Sequence, residues 1–275
     1  MSKLFGYSRQ NFYKRIKEQV LEQDQSDLSL GHVFPEQWKT PRLGTRKLKH
    51  QMALRGQYYG RDRLFDLLRR NGLLIKPLRS YAKTTYSKHW LKKYSNLVKD
   101  RPVTAPNQIW VSDITYIRTD EGYNYLSLVT DKFSRKIVGY DLSDSLKAEG
   151  AIRALQMAIN QQGNQPGLIH HSDRGLQYCS HEYQRLLAQH QIKPSMTEKY
   201  DPYENALAER MNGILKTEFL LEDGFPSSLL ARKAIEESIE TYNTIRPHMS
   251  LNMKTPQQVH LSKDPKAFEG FRVFQ

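Results

Sequence analysis

Residues 107–119 read NQIWVSDITYIRT, and a single acidic residue interrupts an otherwise strand-forming run. The β-branched and aromatic side chains, which alternate with polar ones, predict a β-strand. Asp113 lies in the middle of this strand, where a carboxylate is unfavourable unless a partner or a cation compensates its charge. The stretch therefore predicts both a strand of a sheet and the first of a set of acidic ligands.

The residues that follow predict a mixed sheet. Two short connections lead from this strand to YNYLSLVTD and then to KIVGYDL, which favours an antiparallel meander. Further strands are expected at GLIHHSD and IKPSMT, and helices at Lys147–Asn160, Ser180–His190, Pro202–Leu221 and 226–246. The order βββαβαβα predicts an α/β fold, a mixed five-stranded sheet flanked by helices, as in ribonuclease-H-like domains. The tail from Pro247 is expected to be irregular.

A second acid is expected beside the first. Asp173 follows the fourth strand at its C-terminal end, where open α/β sheets place their ligand sites. The first and fourth strands are neighbours in the predicted layout, so Asp113 and Asp173 would lie close together. Two close carboxylates repel each other unless one is protonated or a cation neutralises both. Mg²⁺ prefers oxygen ligands and often shares them with phosphates.

The helix that begins after Pro202 supplies a third acid. At about 100° per residue, four side chains share one stripe of this helix: Asn205, Glu209, Asn212 and Lys216. Apolar side chains occupy the opposite side: Leu207, Met211 and Ile214. If the polar stripe faces the aspartates, Glu209 completes a metal site and Lys216 can meet a phosphate. Two ions roughly 4 Å apart would activate the attacking oxygen and stabilise the leaving oxygen in phosphoryl transfer.

Other possible metal ligands are less convincing. His170 and His171 are adjacent on a strand, so their side chains point to opposite faces and cannot readily share one ion. We expect one of them in the core and one near the site. Cys179 is the only cysteine, which excludes a disulfide framework and a thiolate zinc cluster within this chain.

Positive charge is concentrated in one segment. The net charge is +13, yet residues 39–99 hold 17 basic and only two acidic side chains, and the other residues hold 25 basic and 27 acidic ones. Such a segment attracts a polyanion. Two short helices at 45–54 and 60–71, separated by a glycine turn, favour a helix-turn-helix-like DNA-binding region. The candidate DNA contacts are Arg46, Lys47, Lys49, Arg61 and Arg63, with Arg174 beside the second acid and Asn205, Asn212 and Lys216 on the helix of the third acid.

These observations predict five segments. They are an N-terminal helix and linker (1–40), a basic helix-turn-helix-like region (41–80), a basic linker (81–106), the catalytic core (107–262) and a tail (263–275). Within the first segment, residues 8–23 are expected to form a helix. No run approaches the roughly 18 apolar residues of a membrane span, and the start lacks a secretory signal, so a cytoplasmic location is expected.

Five motifs in order resemble a known family. WVSDITYI, HHSDRGLQY and ENALAERMNGILKTE are similar to the three acidic motifs of DDE transposases with a retroviral-integrase-type core, closest to the insertion-sequence group encoded by two reading frames. The 35 residues between Asp173 and Glu209 match that group's spacing, and Lys216 matches its basic residue seven positions later. YNTIRPH at 242–248, followed by TPQQV, resembles the closing motif. GTRKLKHQM through GRDRLFDLLRRNGLLIKP resembles a helix-turn-helix-like region.

The resemblance implies a ribonuclease-H-like enzyme that uses Mg²⁺ or Mn²⁺, two ions per site, and acts as a homo-oligomer on DNA. Its substrates would be terminal inverted repeats and target DNA, and cleavage would expose a 3′-hydroxyl that attacks another phosphodiester. The chain opens close to YSRQNFYKR, so an upstream-frame product or a frameshift fusion is an expected partner. The alternatives are a ribonuclease-H-like nuclease without strand transfer and an inactive DNA-binding regulator.

Overall fold

The computed structural model describes residues 30, 31, 33, 39–75, 90–99, 101–163, 165–198 and 205–262. The chain divides into two compact units, Met1–Lys76 and Pro77–Gln275. The helix predicted at residues 8–23 lies outside the described residues. No helix in the described part of the chain is both long and apolar enough to cross a membrane.

The first unit contains the two predicted basic helices, α1 (Thr45–Leu54) and α2 (Arg61–Arg70). Leucines and a methionine at helical spacing pack between them, because each helix places its apolar residues on one face. The buried cluster consists of Val33, Leu43, Leu48, Met52, Leu64, Leu67 and Leu68. Both helices are thus confirmed, and their basic side chains are left for the outer faces.

The second unit is built on the predicted five-stranded sheet. Its strands are β1 (Ile109–Thr119), β2 (Gly122–Asp131), β3 (Ile137–Ser143), β4 (Ile169–Ser172) and β5 (Lys193–Met196). Its helices are α3 (Ala148–Gln162), α4 (Leu176–Cys179), α5 (His181–Gln189), α6 (Ala206–Glu218), α7 (Ser228–Thr244) and α8 (Pro256–His260), with a 3₁₀ turn at Met249–Leu251.

The strand order is β3-β2-β1-β4-β5. β1 pairs antiparallel with β2, and β2 antiparallel with β3, as the short connections predict. β4 lies parallel to both β1 and β5. The prediction that β1 and β4 are neighbours is confirmed, and the architecture is the mixed, ribonuclease-H-like sheet.

Helices cover both faces of the sheet because β1 alternates its side chains between two cores. On one face Trp110 packs in a cluster with Leu155 of α3 and Tyr183 of α5. On the other face Ile117 packs in a cluster with Met211 of α6 and Ile235 of α7. This alternation places Asp113 on the face of β1 that α6 covers.

Two parts of the second unit contain short helical segments that the sequence did not predict. The tail from Pro247 was expected to be irregular, and this is wrong, because it contains the 3₁₀ turn and α8. Thr255 caps α8 in a capping box with Gln258, a signal that the sequence TPQQ does carry. The other missed segment is α4, whose four residues are too few for a helical period to be seen.

We expect opposite effects from two glycine-to-alanine changes. A Cβ at Gly139 of β3 would collide with the Ala154 carbonyl oxygen and with Ala158 of α3, so Gly139→Ala should destabilise the fold by about 3 kcal/mol. Gly213→Ala, at an exposed position of α6 with open space around it, should stabilise by roughly 0.5–1 kcal/mol. Urea denaturation measures both, and equal effects would contradict the close approach of β3 and α3.

Candidate active site

Asp113 lies where β1 and β4 separate. The last paired residues of these parallel strands are Val111 and His171, and β4 ends at Ser172. Continuing this register by two residues would set Asp113 opposite Asp173, at the roughly 4.8 Å spacing of neighbouring strands. The fold therefore brings the first two predicted acids together, where β4 ends beside the middle of β1.

The Asp113 carboxylate is half-buried and hydrogen-bonded on both oxygens. The backbone N–H of Ile114 donates to Oδ1 at 2.9 Å, and Nδ2 of Asn212 donates to Oδ2 at 2.8 Å. Burial raises the pKa of Asp113 to about 7, and the neighbouring charges of Asp173 and then Glu209 add to this rise. Asp113 is thus under repulsion from both of the other predicted acids.

Asp173 is held by the turn that follows β4. The backbone N–H of Gly175 donates to its Oδ1 at 2.9 Å. A Cβ at Gly175 would lie only 3.0 Å from Asp173 Oδ1 and 3.0 Å from Gln177 Oε1, so glycine allows this close approach. Asp173 and its neighbour Arg174 are both half-buried. The carboxylate is therefore oriented without being sealed from solvent.

Helix α6 lies on the same face of β1 as Asp113, since Ala208 packs in a cluster with Val111. Asn205 and Asn212 are buried, and Nδ2 of Asn205 donates to the carbonyl oxygen of Ser112 at 3.3 Å. In the described part of the chain, Oδ1 of each asparagine is buried without a hydrogen-bond partner. The predicted polar stripe does face β1, and it brings two unsatisfied oxygen atoms with it.

Glu209 and Lys216 lie at the edge of this stripe. Glu209 is exposed, although its charge contributes to the raised pKa of Asp113. Lys216 is half-buried, and burial lowers its pKa while the charges of Asp113 and Glu222 oppose that change. Both side chains therefore border the site on its solvent side, where a bound polyanion could reach them.

The three acids share a region but do not form a preassembled ligand cage. Among the described residues, no three His, Cys, Asp or Glu side chains are close enough together to hold a metal ion. Glu209 is exposed, whereas Asp113 and Asp173 are half-buried. The arrangement offers hard oxygen ligands that a cation or a DNA phosphate would have to draw together.

The histidines of β4 belong to the core. His170 and His171 are both buried. Nε2 of His170 is 2.7 Å from the Ser112 hydroxyl and 2.9 Å from the Tyr183 hydroxyl, and burial lowers the pKa of His170 to about 3. Nδ1 of His171 is 2.9 Å from the Ser195 hydroxyl. The expectation of one core histidine is met, and both have structural contacts.

Sequence reasoning missed a Ser-His-Asp grouping. Ser134 Oγ donates to Oδ1 of Asp131 at 2.7 Å and lies 2.9 Å from Nδ1 of His260. Ser134 and Asp131 have no exposed surface, so no substrate could reach the hydroxyl. The grouping joins α8 to the turn after β2 and is structural. Residues more than 100 positions apart along the chain gave no sequence signal for it.

The predicted DNA contacts of the first unit lie on its surface. Arg46, Arg61 and Arg63 are exposed, and Lys47 and Lys49 are half-buried. Arg61 Nε lies 2.8 Å from Oδ1 of Asp62, but such an exposed ion pair is weak. The basic side chains are accordingly accessible to a partner.

A ribonuclease-H-like sheet with acids on β1, after β4 and on α6 defines a nucleic-acid-processing core of the integrase class. Residues 103–202 and 190–256 each match a family described as integrase core domain. A chain of the simian T-cell lymphotropic virus intasome, solved by cryo-electron microscopy, shares this fold with a TM-score of 0.52 and 23% identity, over 77% of this chain and 70% of that chain.

Two bacterial relatives match most of the sequence. An uncharacterised 31 kDa protein of insertion element IS600 from Shigella sonnei is 36% identical over 264 residues, 93% of this chain and 96% of that protein. Transposase InsF for insertion sequence IS3A from Escherichia coli strain K12 is 36% identical over 219 residues, 79% of this chain and 76% of InsF. The chain belongs to the IS3-type DDE transposase family.

The repulsion at Asp113 predicts that removing its charge stabilises the metal-free protein. A raised pKa means that stability is lost as the pH rises from about 4 toward 7, because the folded state resists ionisation. At about 1.4 kcal/mol per pKa unit, Asp113→Asn should be more stable by roughly 1–4 kcal/mol at pH 8 in a chelator. Thermal melts at pH 8 and pH 5 test this, and an advantage that is larger at pH 5 would contradict it.

Proposed function

We propose that this chain cleaves DNA at the ends of an insertion sequence and joins the exposed 3′-hydroxyl to target DNA. Asp113, Asp173 and Glu209 would hold Mg²⁺ or Mn²⁺ for both steps. The observation that supports this most is the placement of Asp113 beside the end of β4, with its carboxylate held by Asn212 of α6 and acted on by the charges of Asp173 and Glu209. A cation bound among them would remove that repulsion.

The side chains present fit a hard divalent cation. Carboxylate oxygens are the ligands that Mg²⁺ prefers, and it commonly completes its shell with water and substrate phosphates. The unsatisfied Oδ1 atoms of Asn205 and Asn212 could accept hydrogen bonds from such waters. We propose two ions per site, since phosphoryl transfer with two ions neutralises both the attacking and the leaving oxygen.

The chain's own residues have simple tasks in this reaction. Asn212 fixes the direction of the Asp113 carboxylate through its hydrogen bond to Oδ2. Lys216, half-buried beside the acids, would bind a phosphate of the DNA end. No histidine is needed as a general base, in keeping with the buried, neutral His170. Positioning and charge neutralisation supply most of the catalysis in phosphoryl transfer.

The partners follow from the family. We propose that the chain binds terminal inverted repeats and target DNA, with Arg46, Lys47, Lys49, Arg61, Arg63 and Arg174 contacting the DNA backbone. Several copies would assemble on the DNA in the cytoplasm, and an upstream-frame product or a frameshift fusion would provide recognition of the ends. The simian viral relative likewise belongs to an assembly called an intasome.

Neutral replacements of the three acids should separate chemistry from binding. We expect Asp113→Asn, Asp173→Asn and Glu209→Gln each to reduce strand cleavage and strand transfer by at least a thousandfold in Mg²⁺, because each removes a metal ligand. Affinity for labelled element ends should change less than threefold. The matched control is Glu237→Gln, at an exposed glutamate of α7, which should keep full activity.

The same assay distinguishes the alternatives. Mg²⁺-dependent cleavage without joining would indicate a nuclease. Binding without any cleavage would indicate a regulator, provided that Mg²⁺ also fails to raise the melting temperature. Full activity in any one of the three acid variants would refute the ligand assignment.

The basic face of the first unit should bind DNA electrostatically. Arg61→Gln combined with Arg63→Gln is expected to weaken duplex binding about tenfold at low salt and to flatten the salt dependence, because fewer counterions are released. Fluorescence anisotropy between 50 and 300 mM salt measures both effects. Unchanged affinity and an unchanged salt slope would exclude these arginines from the interface.

A further inference from the structure

The turn between β2 and β3 carries three basic side chains, on which acids act only through their charges: Asp131 on Arg135, and Asp131 and Glu240 on Lys136. Lys132, Arg135 and Lys136 are all half-buried, and burial lowers the pKa of each. Arg135 also lowers the pKa of Lys132 by direct repulsion. No ion pair within the described part of the chain includes any of the three. The turn therefore holds positive charge in a place that partly excludes water.

The nearest acid is engaged elsewhere. Asp131 is fully buried, and both of its oxygens accept hydrogen bonds. Oδ1 accepts from the N–H and the hydroxyl of Ser134, each at 2.7 Å, and Oδ2 accepts from the N–H of Asn107 at 2.7 Å. Asp131 shapes the turn, and its charge offsets the effect of burial on Arg135 and Lys136 only in part, since the pKa of each is still lowered.

The closing motif at 242–248 fixes this turn in place. The Tyr242 hydroxyl donates to the carbonyl oxygen of Arg135 at 2.9 Å. The Asn243 amide pairs with both backbone groups of Ile137, accepting from its N–H and donating to its carbonyl oxygen, each at 3.0 Å. Arg135 itself has a φ of 65°, a left-handed conformation that is unfavourable for a side chain of this size. Several elements thus stabilise one strained arrangement of basic residues.

A fourth basic residue, on α6, lies close enough to the turn for its charge to act on Arg135. Arg210 is exposed, and its charge contributes to the lowered pKa of Arg135. Arg210 precedes Asn212 by two residues, which corresponds to a rotation of about 200° around the helix axis. Asn212 points to Asp113, so Arg210 projects from the opposite side of α6. The basic cluster is accordingly a separate place from the carboxylate site, although the same helix borders both.

We propose that Lys132, Arg135 and Arg210 form a second binding site for the DNA phosphate backbone, separate from the three acids. The inference rests on the proposed function, since it assumes that DNA lies across α6. Guanidinium groups match phosphate oxygens in pairs, and among the described residues the Arg135 guanidinium donates one hydrogen bond, from Nη1 to the Lys132 carbonyl oxygen at 2.6 Å. A bound phosphate would relieve the repulsion among the three cations. The closing motif would then act indirectly, as the support that positions this site.

The test compares two double variants of the full chain. Lys132→Gln with Arg210→Gln removes two charges of the cluster, and Lys233→Gln with Arg185→Gln removes two exposed charges from α7 and α5. Each lost phosphate contact should lower the slope of log affinity against log salt by about 0.9. We therefore expect the cluster variant to lose up to about two units of slope on a duplex oligonucleotide, and the control variant to lose little.

Melting temperatures and a conservative variant separate binding from folding. Without DNA, the cluster variant should melt at the same temperature as the unmodified chain or higher, because like charges no longer repel. Lys132→Arg with Arg210→Lys should restore the slope. A lowered melting temperature together with failed rescue would overturn the proposal and assign these residues a structural role.

Two further results would also overturn it. Equal slopes for the cluster and control variants would exclude a phosphate contact. A changed association state in sedimentation, with DNA binding intact, would assign the cluster to an acidic surface of a second copy. Failure of the proposed function looks different, since the unmodified chain would then bind DNA and show no Mg²⁺-dependent cleavage.

Discussion

The packing of α6 across β1 is the contact on which the site depends. The hydrogen bond from Asn212 to Asp113 and the contact between Asn205 and the Ser112 carbonyl set this packing on the polar side. Met211 and Leu215 secure it on the apolar side, within the core shared with α7. The helix thereby brings Glu209 near two aspartates that the sheet has already placed together. The consequence is repulsion among like charges, which a bound cation would relieve.

Helix α6 borders both the carboxylate site and the basic cluster of Lys132, Arg135 and Arg210. One side of α6 faces the carboxylates, and Arg210 lies on the other side, where its charge acts on Arg135 of the turn between β2 and β3. The far end of the helix is fixed by Arg246, whose guanidinium binds both oxygens of Glu218 at 2.7 and 2.8 Å. Buried pairs of this kind are strongly destabilising when one partner is removed. A rigid α6 would hold DNA and metal ligands in a constant relation.

Much of this arrangement could be predicted from local sequence. Alternation in β1 and the short connections after it predicted the meander, and the parallel crossover predicted β4 beside β1. The 3.6-residue period placed the asparagines of α6 on the stripe that faces Asp113. Residue type singled out Asp113, because a carboxylate within a strand requires compensation, and the assignment of all three acids as metal ligands stays a prediction.

What the sequence could not predict depends on contacts between distant residues. The exposure of Glu209 depends on how α6 packs on the sheet, which the helical period does not encode. Tyr242, Asn243 and His260 support the turn between β2 and β3. Each of them contacts a residue more than 100 positions away along the chain. The expected irregular tail was wrong for a different reason, because α8 is a short helix whose cap at Thr255 is its main signal.

The central claim is that Asp113, Asp173 and Glu209 bind a divalent cation together. Anomalous diffraction from crystals soaked in Mn²⁺ tests it most directly. We predict a manganese peak bonded to carboxylate oxygens of both aspartates, with Glu209 turned inward from its exposed position to join them. A protonated Asp113 hydrogen-bonded to Asp173, with no ion between them at saturating Mn²⁺, would contradict the account.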